Sequence, residues 1–123
     1  MTILFVTNQI SSKNFYSSVL KIEPILDVPG MTEFPISTDF SLGLMPGQNI
    51  KTILQDKIPH PDNAAGIPRC ELYFIVSNPK EHLNLIGKNG GEIISDVEAR
   101  SWGDKVGYGI DLDGHLIAFA EKM

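Results

Sequence analysis

The sequence has few of the residues that cross-link a protein, anchor it in a membrane or attach it to nucleic acid. Its single cysteine, Cys70, excludes an internal disulfide and favours a reducing compartment. Lys and Arg number 10 against 15 Asp and Glu, with no basic cluster, which argues against a nucleic-acid partner. No apolar run approaches the roughly 20 residues of a membrane span, and no secretion signal precedes the first apolar segment. We expect a cytoplasmic protein with neither nucleic acid nor membrane as a partner.

The 123 residues have the size of a single domain, and they contain one pattern twice. The segment Ile-Leu-Phe-Val-Thr-Asn at 3–8 recurs as Tyr-Phe-Ile-Val-Ser-Asn at 73–78. A helical pattern follows each copy. We therefore expect two related units, each made of the same elements in the same order.

In the first unit, a strand over 2–7 precedes a helix capped by Asn8. The helix is indicated by one apolar stripe, formed by Phe15, Tyr16, Val19 and Leu20. Short apolar runs separated by prolines then predict three strands, near 22–28, 31–36 and 39–45.

The second unit repeats this order. A strand over Glu71–Val76 is followed by a helix start at Asn78-Pro79, with Glu81 at the capping-box position, and Gly90-Gly91 ends the helix. Three strands follow, near 92–96, 105–110 and 115–121. Asp113-Gly114 between the last two is a strong hairpin signal, because this pair tolerates the positive φ of a tight turn.

The fold class predicted from these elements is α+β. Two βαβββ modules, 1–46 and 70–123, form a curved mixed sheet cup with helices on the convex face. The linker 47–69 is rich in proline and glycine. Because a structureless segment of this length is unusual, we expect a short helix over Asn49–Gln55 that buries Ile50, Ile53 and Leu54.

Three motifs in this order resemble the glyoxalase/bleomycin-resistance/extradiol-dioxygenase superfamily, also called vicinal oxygen chelate proteins. They are Asn14-Phe15-Tyr16 with Val19-Leu20, the pair Trp102-Gly103, and Asp111-x-Asp113-Gly114-x-x-Ile117. Leu112 departs from the proline usual there. The resemblance implies a homodimer that binds a small molecule. It leaves open whether one chain or two close each cup.

In metal-dependent members of that superfamily, each half supplies two ligands, one from its first and one from its last strand. The resemblance maps these positions to Met1, about Gly43, Glu71 and Ala118. A register shifted by two residues is no better suited to a metal ion; it gives Ile3, Ser41 or Met45, Tyr73, and Leu116 or Ala120. Methionine is a soft ligand, and glycine and alanine supply no donor. We expect no metal and no cofactor.

The sequence identifies no catalytic residue, but it does suggest residues that line a ligand cleft. Glu71 is either a solvent-facing carboxylate or an acid in the cup, which would fix a cationic or hydrogen-bonding ligand or act as a base if burial raises its pKa. Strand alternation places Tyr73 and Ile75 on its face, with Leu72 and Phe74 towards the helix. Trp102 is either a core or interface aromatic or a surface on which a flat ligand stacks. The predicted cleft residues are Glu71, Tyr73, Trp102, Tyr108, Gly43, Met45 and Ala118.

The histidines His60, His82 and His115 match no metal motif and are expected at the surface or as caps. The leading hypothesis is a metal-free small-molecule-binding protein of the bleomycin-resistance type, which takes an apolar, aromatic or cationic ligand in a cleft at a dimer. The alternative is an enzyme, a glyoxalase-type lyase or isomerase or a dioxygenase relative. A scaffold that only dimerises is a third possibility.

Overall fold

The computed structural model describes residues 1–123, which divide into two units, Met1–Ala65 and Gly66–Met123. Each unit contains one four-stranded sheet of parallel and antiparallel pairs, with a helix after its first strand. The α+β class and the two βαβββ modules are confirmed. None of the helices has the length and apolar character needed to span a membrane.

The first unit has the sheet order β1-β4-β3-β2, with β1 parallel to β4. Asn8 caps its first helix by accepting a hydrogen bond from the Ser11 amide at 2.9 Å. Its elements are β1 Thr2–Val6, α1 Gln9–Leu20, β2 Leu26–Val28, β3 Met31–Ser37, β4 Phe40–Pro46 and α2 Gly47–Leu54, followed by 3₁₀ turns at Gln55–Lys57 and Pro61–Ala64.

One face of this sheet packs against α1 and forms the core. Full burial of a large apolar side chain, such as Val, Leu or Phe, contributes about 1.5–3 kcal/mol to stability. The fully buried residues are Val6, Phe15, Tyr16, Val19, Phe34, Leu42 and Leu44. The predicted stripe of α1 is confirmed, except that Leu20 is only half-buried.

Gln9 joins the start of α1 to the β2–β3 hairpin. Its Nε2 donates to the Val28 carbonyl at 2.8 Å and to Oγ1 of buried Thr32 at 2.9 Å. Its Oε1 accepts from the Gly30 amide at 2.9 Å. One amide side chain therefore satisfies polar groups from two elements, which orients the helix over the hairpin.

The second unit has the sheet order β5-β8-β7-β6, with β5 parallel to β8. Asn78 caps its helix by accepting from the Glu81 amide at 3.3 Å, and Pro79 is the first helical residue, as predicted. Its elements are β5 Glu71–Ile75, α3 Pro79–Lys88, β6 Glu92–Ala99, β7 Asp104–Ile110 and β8 Leu116–Lys122.

Two glycines of β7 let α3 approach the sheet closely. A Cβ at Gly107 would lie 2.8 Å from Leu83, and one at Gly109 would lie 2.7 Å from Ile86. Both helix residues are fully buried. The small residues are needed because the helix side chains occupy the space above them.

The hairpin between β7 and β8 turns at Gly114, whose φ is +88°, so the predicted turn is confirmed. The helix expected over Asn49–Gln55 is present as α2, but the prediction that it buries Ile53 is wrong, because that side chain is 65% exposed. Ile50 and Leu54 are only half-buried. The buried residue of α2 is Gly47 in its first turn, so the helix packs through one end.

Candidate functional site

Each strand of the second sheet alternates between a face against α3 and an opposite face, which we call the far face. On β5, Leu72 and Phe74 are buried towards the helix, whereas Glu71, Tyr73 and Ile75 are exposed on the far face, as strand alternation predicted. On the neighbouring strands the register places further residues on the far face: Asp104, Val106, Tyr108 and Ile110 on β7, and Leu116, Ala118, Ala120 and Lys122 on β8.

Tyr73 and Trp102 form a hydrogen-bonded pair that we call the aromatic platform. The Trp102 Nε1–H donates to the Tyr73 hydroxyl oxygen at 2.9 Å, and the Tyr73 hydroxyl donates to Oδ2 of Asp104 at 2.6 Å. Trp102 is 56% exposed and Tyr73 39% exposed. Desolvation and the hydrogen bond to Asp104 raise the pKa of Tyr73 above its ordinary value. The phenol therefore stays neutral in the ordinary pH range.

One row across the far face runs from Tyr73 on β5 through Ala118 on β8 to Tyr108 on β7. The strand register pairs Ala118 with both tyrosines. Ala118 is fully buried within a cluster of Val106 and Ala120 against which Tyr108 packs. The Arg100 guanidinium lies 5.2 Å from the centre of the Tyr108 ring and donates to the Val106 carbonyl at 3.0 Å. The row thus brings predicted residues together, but Arg100 covers one face of Tyr108.

Glu71 lies on the same face as the platform, two residues before Tyr73 on β5. Its side chain is exposed, and no hydrogen bond or ion pair of its carboxylate is formed within the chain. The carboxylate is therefore free to bind a positively charged or hydrogen-bond-donating group.

Gly43 and Met45 belong to the first unit, on the face of its sheet opposite α1. A Cβ at Gly43 would lie 3.0 Å from Sδ of Met1, 3.1 Å from Cγ1 of Ile3 and 3.2 Å from Sδ of Met31. Met45 is half-buried two residues further along β4. Thioethers and aliphatic carbons therefore occupy the space above Gly43, and this surface is apolar.

The first unit also has an open cleft of about 650 Å³ between the start of α1 and β2. It is lined by Thr7, Asn8, Gln9, Ile10, Lys13, Asp27, Val28 and Pro29. Its two charged residues pair with each other, Lys13 Nζ with Oδ2 of Asp27 at 2.5 Å, which lowers the pKa of Asp27 together with a hydrogen bond from Thr32. The cleft offers a ligand no unpaired charge.

The three histidines are used locally. His60 caps a 3₁₀ turn by accepting from the Asp62 amide at 3.0 Å, and His82 stacks on Phe119 at 4.8 Å. His115 lies in a group with Asp111 and Asp113 whose potential ligand atoms fall within 4.8 Å of one another. Asp111 is already engaged there, since its Oδ1 accepts from the Asp113 and His115 amides. The group is explained by the geometry of the turn.

The family model of the glyoxalase-like domain matches residues 1–123, the whole chain. The chain belongs to the glyoxalase-like family. None of the curated proteins shows significant sequence similarity to it.

Solved structures similar to this glyoxalase-like domain include a glyoxalase-related enzyme from Fulvimarina pelagi, with a TM-score of 0.81 and 18% identity over 99% of this chain and 87% of that one. A glyoxalase/bleomycin resistance protein/dioxygenase family enzyme from Burkholderia phytofirmans has a TM-score of 0.83 and 10% identity over 99% and 96%. The fosfomycin resistance protein FosX from Listeria monocytogenes has a TM-score of 0.70 and 17% identity over 99% and 90%. These likenesses establish the fold.

The residues at the positions expected for the superfamily's metal ligands do not fit a divalent ion. In the first unit these positions hold the thioether of Met1 and Gly43, whose surroundings are carbon and sulfur atoms. In the second they hold the Glu71 carboxylate and Ala118, which is fully buried. One carboxylate falls short of the three protein ligands that a catalytic zinc site normally needs.

Two residues of this site were not anticipated from the sequence, Asp104 and Arg100. Strand alternation along β7 could have identified Asp104, because it places this residue on the same face as Val106 and Tyr108. No local pattern identifies Arg100, whose side chain folds back from the turn after β6 onto the carbonyl of Val106.

Proposed function

We propose that this glyoxalase-like domain binds a flat aromatic or cationic organic molecule without a metal ion, on the far face of its second sheet. The aromatic platform of Tyr73 and Trp102 would contact the rings of the ligand, and Glu71 would bind its positive charge. We also propose that the domain pairs with a second copy of itself in the cytoplasm.

The observation that carries this proposal is the hydrogen bond between Trp102 and Tyr73. It satisfies the polar edge of the indole within the protein while more than half of the side chain remains exposed. A ligand ring stacked on an aromatic side chain contributes about 0.5–1.5 kcal/mol beyond the area it buries, and a cation over the indole adds about 0.5–2 kcal/mol.

The charge balance supports a cationic ligand. The chain carries a net charge of −5, and the unpaired carboxylate of Glu71 lies on the same face as Tyr73, two residues before it on β5. The donor-poor residues at Met1, Gly43 and Ala118 support binding that does not depend on a metal.

Titration of the protein with ethidium, a flat aromatic cation, tests the proposal. We expect saturable binding that Trp102→Ala weakens about tenfold or more, since loss of a stacking aromatic costs on the order of 1–3 kcal/mol. Ile53→Ala serves as the control, because this side chain is apolar and exposed but lies on α2. Equal affinities of wild type and Trp102→Ala would overturn the proposal.

Elemental analysis of the purified protein tests the enzyme alternative directly. Stoichiometric zinc, nickel or iron, together with turnover of a hemithioacetal or a catechol, would overturn the metal-free binding function in favour of a lyase or a dioxygenase activity.

A further inference from the structure

Asp104 is a buried acid at the start of β7, and it is only 3% exposed. Its Oδ2 accepts the hydroxyl hydrogen of Tyr73 at 2.6 Å, and Nζ of Lys122 lies 3.6 Å from its Oδ1. Since Lys122 itself is largely exposed, Tyr73 is the close partner of the buried carboxylate.

The hydrogen bonds run in one direction, from Trp102 to Tyr73 to Asp104. The indole donates its only N–H and the phenol donates its only O–H, so neither side chain has a donor left. The Tyr73 oxygen keeps acceptor capacity, and both rings keep their π-faces. The indole N–H can only donate, which fixes the direction of the first bond, and Asp104, as the acceptor of the second, holds the phenol hydrogen away from a ligand.

The backbone that carries Trp102 is held independently of this chain of bonds. The turn between β6 and β7 closes through Gly103 N to Arg100 O at 3.2 Å and Arg100 N to Asp104 O at 2.8 Å. Gly103 has a φ of +96°, which suits glycine. Loss of the Asp104 side chain therefore removes the side-chain bonds while these backbone bonds remain.

We propose that Asp104 is a positioning residue that sets the polarity of the aromatic platform, so that the platform accepts but does not donate hydrogen bonds. This inference rests on the proposed function. The ligand class it selects is flat molecules with a positive charge or N–H donors, while anions and molecules with acceptors alone are disfavoured. Glu71, a further acceptor on the same face, acts in the same direction.

The ligand-free protein tests the positioning role, because Trp102 is the only tryptophan and reports on the platform alone. We expect Asp104→Ala to weaken the near-ultraviolet circular dichroism of Trp102 and to increase its quenching by acrylamide. Tyr73→Phe removes the bridging hydroxyl and should change both signals in the same direction. This variant replaces Asp104→Ala in the test if Asp104→Ala does not fold. Asp104→Asn, which keeps an acceptor oxygen, should restore much of the wild-type signal. Lys122→Met is the control and should leave the signal unchanged.

Titrations with two dyes test the polarity. Wild type should bind ethidium, a cation, at least tenfold more tightly than anilinonaphthalene sulfonate, an apolar anion. Asp104→Ala should reduce this ratio about tenfold, because the tyrosine hydroxyl can then donate to an anion.

The outcomes separate the two proposals. Unchanged spectra and an unchanged dye ratio in Asp104→Ala and Tyr73→Phe would overturn the role of Asp104, even if ethidium binds wild type. Altered spectra with no binding of either dye to wild type would overturn the proposed function and leave the ligand-free positioning role supported.

Discussion

Nδ1 of His115 lies 2.8 Å from Oδ2 of Asp111, across the turn that joins β7 to β8. Burial lowers the pKa of His115, but the hydrogen bond and charge of Asp111, with a further contribution from Asp113, outweigh it and raise the pKa above its ordinary value. The pair therefore links the stability of this hairpin to pH.

Because the folded-state pKa of His115 is raised, its contribution to stability is present below the unfolded value of about 6.5 and is lost as pH rises through the folded value. We expect the difference in unfolding free energy between wild type and Asp111→Asn to be larger at about pH 5.5 than at about pH 8.5. Urea unfolding measures it. Asp113→Asn is the matched control and should change the pH dependence less, and a difference independent of pH would contradict the prediction.

Tyr73 should ionise at higher pH than an ordinary tyrosine, since desolvation and Asp104 both favour its neutral form. Ultraviolet titration of wild type and Tyr73→Phe gives its curve by difference among the 3 tyrosines. Its stabilising contribution is present below a pH of about 10 and is lost as pH rises through the raised pKa. A difference curve centred at or below the ordinary value would contradict the hydrogen bond to Asp104.

Gln9→Ala should destabilise the first unit by about 1–3 kcal/mol, because it removes three hydrogen bonds, those to the Val28 carbonyl, the Thr32 hydroxyl and the Gly30 amide. Chemical unfolding measures the loss. Asn14→Ala is the matched control, since this amide lies exposed on the same helix and makes no side-chain hydrogen bond. Equal losses in the two variants would show that the bridge from α1 to the hairpin contributes little.

Two glycines of the second unit should respond to alanine with opposite signs. Gly109→Ala places a Cβ 2.7 Å from Ile86 and 3.0 Å from the Glu92 carbonyl, and overpacking of this kind costs about 1–3 kcal/mol. In Gly87→Ala the nearest atom outside the helix is at an ordinary 3.4 Å, so better helix propensity should stabilise α3 by up to about 1 kcal/mol. Thermal unfolding compares them, and a stabilising Gly109→Ala would show that the close packing is misdescribed.

Local pattern was enough to predict the elements and the direction of each side chain on β5. Strand alternation placed Tyr73 away from the helix, and the cap at Asn78 located the start of α3. The partner of Tyr73 depends instead on how β5, β8 and β7 align, which brings Asp104 close although it is 31 positions away. Sequence spacing carries no information on that alignment.

The same limit explains the error at Ile53. The apolar residues of α2 indicate an amphipathic helix, but periodicity does not show whether an opposing surface covers them. In the structure α2 packs through Gly47, whose Cβ position lies 3.2 Å from Asp62 and 3.5 Å from Pro61 of the following 3₁₀ turn.

The central claim is that this domain holds a flat organic ligand with its aromatic platform and needs no metal ion to do so. The most direct test is the ethidium binding isotherm of protein treated with a chelator, measured before and after zinc is added back. We predict the same saturable isotherm in both conditions, and its loss in Trp102→Ala. Binding that appears only when zinc is present would contradict the claim.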